Sequence, residues 1–222
     1  MMKPNPKYIL LVPQLPKPLP TEELEILENN AEYTAFQAAG HDLSGQAASG
    51  LLFDQLSLQR IIFQRTRLDR LRVFDVRASA CDFTGADWEK ARLRRVEFSG
   101  CRLMGIQLLE AQLEHVRFKE CNLEGAVFAS AVFKSARFER CNLRGALFEQ
   151  ADLRGVVFRD CELTQAKLSG AKLENADLRG SILSGMQVGA GDLRGTVIDS
   201  SQAVQVVALM GVIIQELESL QD

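Results

Sequence analysis

The side chains with the most chemical potential in this 222-residue sequence are five cysteines, all set at one interval. Cys81, Cys101, Cys121, Cys141 and Cys161 each follow the last by twenty residues. Thiols at fixed spacing raise a metal or redox reading. Metal-site spacings, however, bring ligands within a few residues and recruit histidine. The two histidines, His41 and His115, are not beside the cysteines in the repeat frame. The reading taken is that each Cys is a small, buried apolar residue. Gly189-Ala-Gly191-Asp-Leu-Arg-Gly195 resembles a dinucleotide loop in composition only; its spacing is wrong and no strand–turn–helix surrounds it. No zinc-site spacing, P-loop or nucleophile elbow occurs. With His41 in the repeat interior and His115 at an outward corner, a general acid–base pair has little to be built from. The sequence therefore reads as non-enzymatic, with no cofactor and no metal.

The cysteines belong to a larger pattern that must position them. A five-residue unit repeats as small residue, polar residue, Leu or Phe, then two polar or turn-forming residues. From His41 to Ser200 it runs for 160 residues as 32 units, and all 32 centres are apolar. Ten of the twelve phenylalanines sit at centres. A period of five is neither helical nor that of a simple strand. It suits a short extended side followed by a corner, with the small residue and the centre both pointing inward. Four sides close a square coil of twenty residues, and coils stack at roughly 4.8 Å. The cysteines then form one inner ladder on side one. Phe98, Phe118, Phe138 and Phe158 form another on side four. Gly45, Gly85, Gly105, Gly125, Gly145 and Gly185 share one corner, where a permissive backbone is useful.

This pattern resembles that of the pentapeptide repeat family, A(D/N)LXX, and Ala151-Asp-Leu-Arg-Gly and Ala176-Asp-Leu-Arg-Gly match it letter for letter. The resemblance covers about three quarters of the chain. It implies an all-β solenoid, a right-handed quadrilateral β-helix, here of about eight coils with a short N-terminal cover and a C-terminal capping helix. The sequence departs from the pattern in residues 41–80, where inner positions hold His41, Gln46, Leu51, Leu56, Ile61, Thr66, Leu71 and Val76. That stretch reads as irregular coils, with an amphipathic helix over 51–74 as the rival; 81–200 reads as regular coils.

Outside the frame, residues 1–40 contain all six prolines and read as a cover for the open edge of the first coil. Thr21 is expected to cap a short helix there. Residues 201–222 read as a cap: a helix over 201–210 opened by Ser201 and stopped by Gly211, a strand Val212-Ile-Ile214, and a polar tail with Leu217 and Leu220. In several proteins that the chain resembles, the C-terminal element also forms a homodimer interface. No apolar run reaches signal-peptide or transmembrane length. An odd number of interior cysteines points to the cytoplasm, and no membrane partner is expected.

Function must then sit on the outward positions. On side four, opposite charges succeed one another down the stack, as in Lys119, Glu139, Arg159 and in Glu120, Arg140, Asp160, so that face satisfies itself. The corner between sides two and three instead gathers Arg70, Arg72, Lys90, Arg92, Arg94 and Arg95 near Asp69, Asp87 and Glu89. One or two coils on, outward positions turn apolar at Leu109, Val127, Val132 and Leu147. An apolar group beside a basic rim marks a partner site. The reading is a protein-interaction scaffold with an unidentified protein partner. The alternative, suggested by resemblance to the Qnr and MfpA type, is a DNA mimic that binds DNA gyrase or topoisomerase IV. It is disfavoured, because residues 41–200 carry 23 Lys and Arg against 21 Asp and Glu. Direct nucleic-acid binding ranks third, since only Phe74 interleaves the arginines.

Overall fold

Each unit divides its five residues between inside, outside and turn. In the computed structural model, which describes residues 9–215, the first and third residues of a unit are buried and the second and fourth face outward. The fifth turns the corner at positive φ. The turn closes by a hydrogen bond from the next unit's first N–H to the centre carbonyl, as from Ala86 N to Phe83 O at 3.0 Å. The corner N–H itself donates to the coil above, as from Gly85 N to Met104 O at 2.8 Å. Glycine occupies the first corner at φ 65° in Gly85 and 62° in Gly105. The other corners place Asp75, Lys90 and Arg95 at φ 52–58°. A side chain there is disfavoured, and the ladder bonds on either side hold it in place.

The strands are β1 (Glu32–Thr34), β2 (Gln37–Ala39), β3 (Ala47–Ser49), β4 (Leu52–Asp54), β5 (Ser57–Gln59), β6 (Arg67–Asp69), β7 (Arg72–Ser79), β8 (Arg92–Ser99), β9 (Gln112–Lys119), β10 (Val132–Lys134), β11 (Arg137–Glu139) and β12 (Val157–Arg159). All pairings are parallel and offset by twenty residues, so that Arg72 lies against Arg92 and Arg92 against Gln112. The three eight-residue strands β7–β9 run through the third corner and join sides three and four. On side one the solenoid is bridged through eight successive rungs, from Asp42 to Ile182. At its upper end contact narrows to single bridges such as Glu162–Ile182 and Asp177–Val197.

The interior is a continuous apolar column. Phe98, Phe118, Phe138 and Phe158 stack with centroids 5.0, 4.8 and 4.9 Å apart and planes within 7°. Repeat spacing thus sets ring spacing, and the offset stack adds to burial. The five cysteines are all buried and unpaired. The thiols of Cys81, Cys101, Cys121 and Cys141 donate to carbonyls of the coil before, as from Cys121 to Phe98 O at 3.5 Å.

Several expectations are corrected. Over residues 51–74 it is the rival amphipathic helix that fails and the coil that holds: β4 pairs with both β1 and β7, and Leu51, Leu56, Ile61, Thr66 and Leu71 are buried. Large inner residues fit because rings give way to smaller centres there, such as Ala48 and Ala78. The stack also begins before His41, since β1 and β2 occupy sides three and four one coil below β4 and β5. No helix follows Thr21. Residues 21–30 run instead beneath the first coil, where Gln46 accepts from Leu27 N and donates to Glu25 O, both at 2.8 Å. Tertiary hydrogen bonds replace the helical ones. Side three of the last coil, residues 191–195, opens into a turn in which Asp192 accepts from Gly170 N and Gly189 N.

At the C-terminal end the capping residue is Asp199, not Ser201. It forms a capping box with Gln202 ahead of a 3-10 turn and helix α1 (Ala203–Leu209). Buried Gln202 also donates to Leu178 O and Ser181 O, at 2.7 and 2.6 Å, which pins the helix to the last regular coil. Gly211 follows at φ 77°. Residues 212–214 form no strand and are exposed; Leu217 and Leu220 lie outside the described residues. Among the described residues no helix is long and apolar enough to cross a membrane.

Candidate functional site

Sides three and two carry the residues singled out from the sequence, and the structure divides them into three groups. Arg70 and Lys90 stand at the second corner and are paired: Arg70 with Asp69 at 3.1 Å, Lys90 with Glu89 at 2.9 Å and with Glu110 at 3.9 Å. Arg95 does not join them. It sits at the third corner and reaches back one coil to Asp75 in a two-point ion pair, one contact at 2.6 Å. With side chains only 17% and 7% exposed, this pair is part of the wall. Burial raises the Asp75 carboxyl, but hydrogen bonds from Arg95 and Gln14 N outweigh it and hold the group below the usual range.

The third group is Arg72, Arg92 and Arg94 on the flat of side three. β7 and β8 place Arg72 and Arg92 in register in one outward row and Phe74 and Arg94 in the next. Among the described residues none of the three forms an ion pair. Arg94 lies over the Phe74 ring at 5.1 Å from its centroid, a cation–π contact that orients the guanidinium. Further up the rows come Gln112 and Glu114, then Val132, which is 38% exposed, and Lys134. All of these except Arg72 line a shallow depression of about 440 Å³ floored by Leu93 and Leu113. One coil below, Asp54 is raised by burial and by neighbouring Asp75.

The apolar set is split by the same corner. Val127 and Leu147 stack against each other on side two, as their spacing requires, and are half-buried. Leu109 is half-buried on side two as well, whereas Val132 belongs to side three beside the arginines. On side four, Glu139 pairs with Arg117 at 2.5 Å and Arg137 at 3.3 Å, and Arg140 pairs with Glu120 at 2.5 Å. The Arg117 pair is diagonal, to the coil above, rather than with Glu97 directly below.

Sequence reasoning missed an N-terminal strap along the third corner. Leu11 N donates to His115 Nδ1 at 3.4 Å and Gln14 N to Asp75 Oδ1 at 2.9 Å, so the chain runs down two coils and buries Pro13. The Asp75–Arg95 pair was legible as opposite charges twenty apart; the strap carries no such signal. The cysteine ladder has neither access nor ligand partners. Cys121, between the thiols of Cys101 and Cys141 and away from water, is pushed up out of the reactive range. Among the described residues no group of three or more His, Cys, Asp or Glu is placed to hold a metal.

Comparison with known families matches a pentapeptide repeat region to residues 71–148 and pentapeptide repeats in eight copies to residues 146–185. No curated protein matches the chain. Among solved structures the chain is similar to HetL of the cyanobacterium Nostoc sp. strain PCC 7120, a pentapeptide repeat protein involved in heterocyst differentiation regulation. Identity is 21%, over 76% of this chain and 85% of that one, with a TM-score of 0.45. It is similar also to trypsin-treated QnrB1, a plasmid-mediated fluoroquinolone resistance protein, at 19% identity, over 89% and 98% of the two chains, TM-score 0.45. A pentapeptide repeat protein of the Arabidopsis thaliana thylakoid lumen matches at 20% identity over 58% and 72%, TM-score 0.22.

Proposed function

The chain belongs to the pentapeptide repeat family, and we propose that it is a non-catalytic, cytoplasmic scaffold that captures a protein partner on side three. The observation that carries this reading is the contrast between paired and unpaired cations. Arg70, Lys90 and Arg95, and Arg117, Arg137 and Arg140 on side four, have carboxylate partners within the molecule. Arg72, Arg92 and Arg94 have none among the described residues, and they stand beside a depression with exposed Val132. Stacking Arg72 on Arg92 in register costs stability, which a partner's charge offsets. A gyrase-directed DNA mimic needs dense negative charge, and the near balance of 23 Lys and Arg to 21 Asp and Glu over residues 41–200 supports the scaffold instead.

The test is capture from native lysate on immobilised protein, with quantitative mass spectrometry. Wild type is compared with the triple variant Arg72→Glu, Arg92→Glu, Arg94→Glu, and with Arg144→Glu on side one as a single-site charge-reversal control. Loss of one protein from the triple variant alone supports side three. Equal recovery on all three baits overturns it. Inhibition of gyrase supercoiling by the wild type, relieved by neutralising surface carboxylates, would favour the mimic.

The C-terminal end supports a second contact, between two copies. Val206 and Leu209 pack inward, but Val204, Met210, Val212, Ile213 and Ile214 are each more than half exposed. A contiguous apolar end of this kind marks an interface. Light scattering is expected to report a dimer that Ile213→Lys converts to monomer; a wild-type monomer at all concentrations removes this contact.

A further inference from the structure

The depression on side three has a geometry that selects among acidic partners. Successive outward positions in one row are separated by the rung spacing, about 4.8 Å. In an extended peptide, side chains on one face recur at roughly 6.7 Å, out of step with the rungs. In an α-helix, residues three apart rise about 4.5 Å and share a face, close to one rung. A helix laid along the solenoid axis therefore presents one residue to each coil in turn.

The row it meets reads Arg72, Arg92, Gln112, Val132. Two cations on neighbouring rungs call for two carboxylates three residues apart. The uncharged Gln112 takes a polar residue, and exposed Val132 takes an apolar one. Arg94, from the adjacent row, already rests on Phe74 and has guanidinium N–H groups left for a carboxylate. Glu114 follows Arg94 in that row and places a negative charge within the depression. That charge disfavours a continuous phosphate backbone, and among the described residues the one aromatic ring lining the depression, Phe74, is occupied by Arg94. A single-stranded nucleic acid would need bare stacking platforms.

We infer that side three takes an acidic amphipathic helix of a protein partner, laid along the solenoid axis, with paired carboxylates on Arg72 and Arg92 and an apolar residue on Val132. The inference rests on the scaffold reading and adds the partner's chemistry to it. The probe is a fluorescein-labelled, Ala- and Gln-rich helical peptide with two Glu residues three apart and a Leu two turns further on. Its comparators are a peptide of equal composition with the Glu spacing scrambled, one with Lys in place of Glu, and a labelled single-stranded oligonucleotide.

By fluorescence anisotropy the ordered peptide is expected to bind, and more weakly as salt rises. Arg92→Glu should weaken it about tenfold, and Val132→Lys several-fold. The triple variant should lose the Glu peptide and gain the Lys peptide, a rescue that misfolded protein cannot show. Equal binding of ordered and scrambled peptides, or tighter binding of the oligonucleotide, overturns the inference. If no peptide binds but the triple variant still sheds its captured protein, the acidic-helix inference falls and the scaffold stands. If the triple variant also retains that protein, both fall.

Discussion

Sides three and four are built from the same strands and treat charge in opposite ways. β7, β8 and β9 pass through both, with one register and one spacing. On side four two outward columns alternate in sign, and in a third, where Arg117 and Arg137 stand in register, Glu139 draws in both arginines. On side three the lower rungs repeat the same sign, Arg92 over Arg72, and among the described residues neither forms an ion pair. The backbone ladder therefore fixes where outward charges stand and leaves free whether they cancel. A solenoid can carry a strained, unpaired cluster because each coil is held from inside by apolar contact with its neighbours.

The largest test of that statement concerns what lies behind each face. Side four is backed by the phenylalanine ladder and side three by Val73, Leu93 and Leu113, all buried. Phe118→Ala is expected to cost about 4 kcal/mol in urea denaturation, and Leu113→Ala about 3 kcal/mol. Equal, small losses for both would mean that coils are not held from within.

Next comes the corner that joins the two faces. Asp75→Asn leaves Arg95 without its carboxylate in a site where the pair is largely buried, at a cost of about 3 kcal/mol. It also weakens the anchor of the strap at Gln14, so limited proteolysis within residues 9–20 should speed up. The pH dependence has a definite sign. Asp75, Asp152, Asp177 and Glu139 are all held below their ordinary values, Asp152 chiefly by its hydrogen bond from Arg154. For the others, burial pushes up, and hydrogen bonds from Arg95, Arg179 and Arg117 pull further down. Their contribution is complete above about pH 5 to 6, where the unfolded carboxyls are ionised, and is lost progressively as pH falls through the unfolded and then the folded values. Asp75→Asn should flatten that acid limb. An unchanged limb removes Asp75 from the account.

Smaller effects separate the faces themselves. Glu139→Gln on side four should cost about 1.5 kcal/mol, since two arginines lose a charged acceptor. Cys121→Ala, in the ladder behind side one, should cost about 1 kcal/mol, and native protein should resist thiol reagents. Rapid labelling would contradict the ladder. Smallest of all, Arg92→Gln on side three should leave stability within about 0.5 kcal/mol of wild type. A large loss would show that Arg92 has a structural partner and that side three is not held in reserve for binding.

How much could be read in advance differs from feature to feature. The column of Cys81 to Cys161, the stacked phenylalanines and the Val127–Leu147 contact were legible as intervals of twenty, because a parallel coil converts sequence interval into contact. The start of the stack was not. Tyr33, Phe36 and Ala38 obey the frame, but Ala31 and Phe36 bracket too few units to stand out beside the prolines. The helix expected after Thr21 failed because Leu24 and Leu27 are buried by the first coil, whose open edge supplies hydrogen bonds that a short helix could not better.

What the sequence by itself determined is the period: five residues to a side, twenty to a coil, and hence which residues are inside and which stand above one another. The reason is that burial repeats with the chain, and any slip of one residue would turn the apolar centres outward. The tertiary structure alone decided which charges meet. Arg95 turned away to Asp75 and left the cluster it was assigned to, Arg94 settled on Phe74, and a proline-rich strap closed over the third corner. Those choices depend on side-chain reach across a corner and on a segment with no period of its own. Neither is written in an interval.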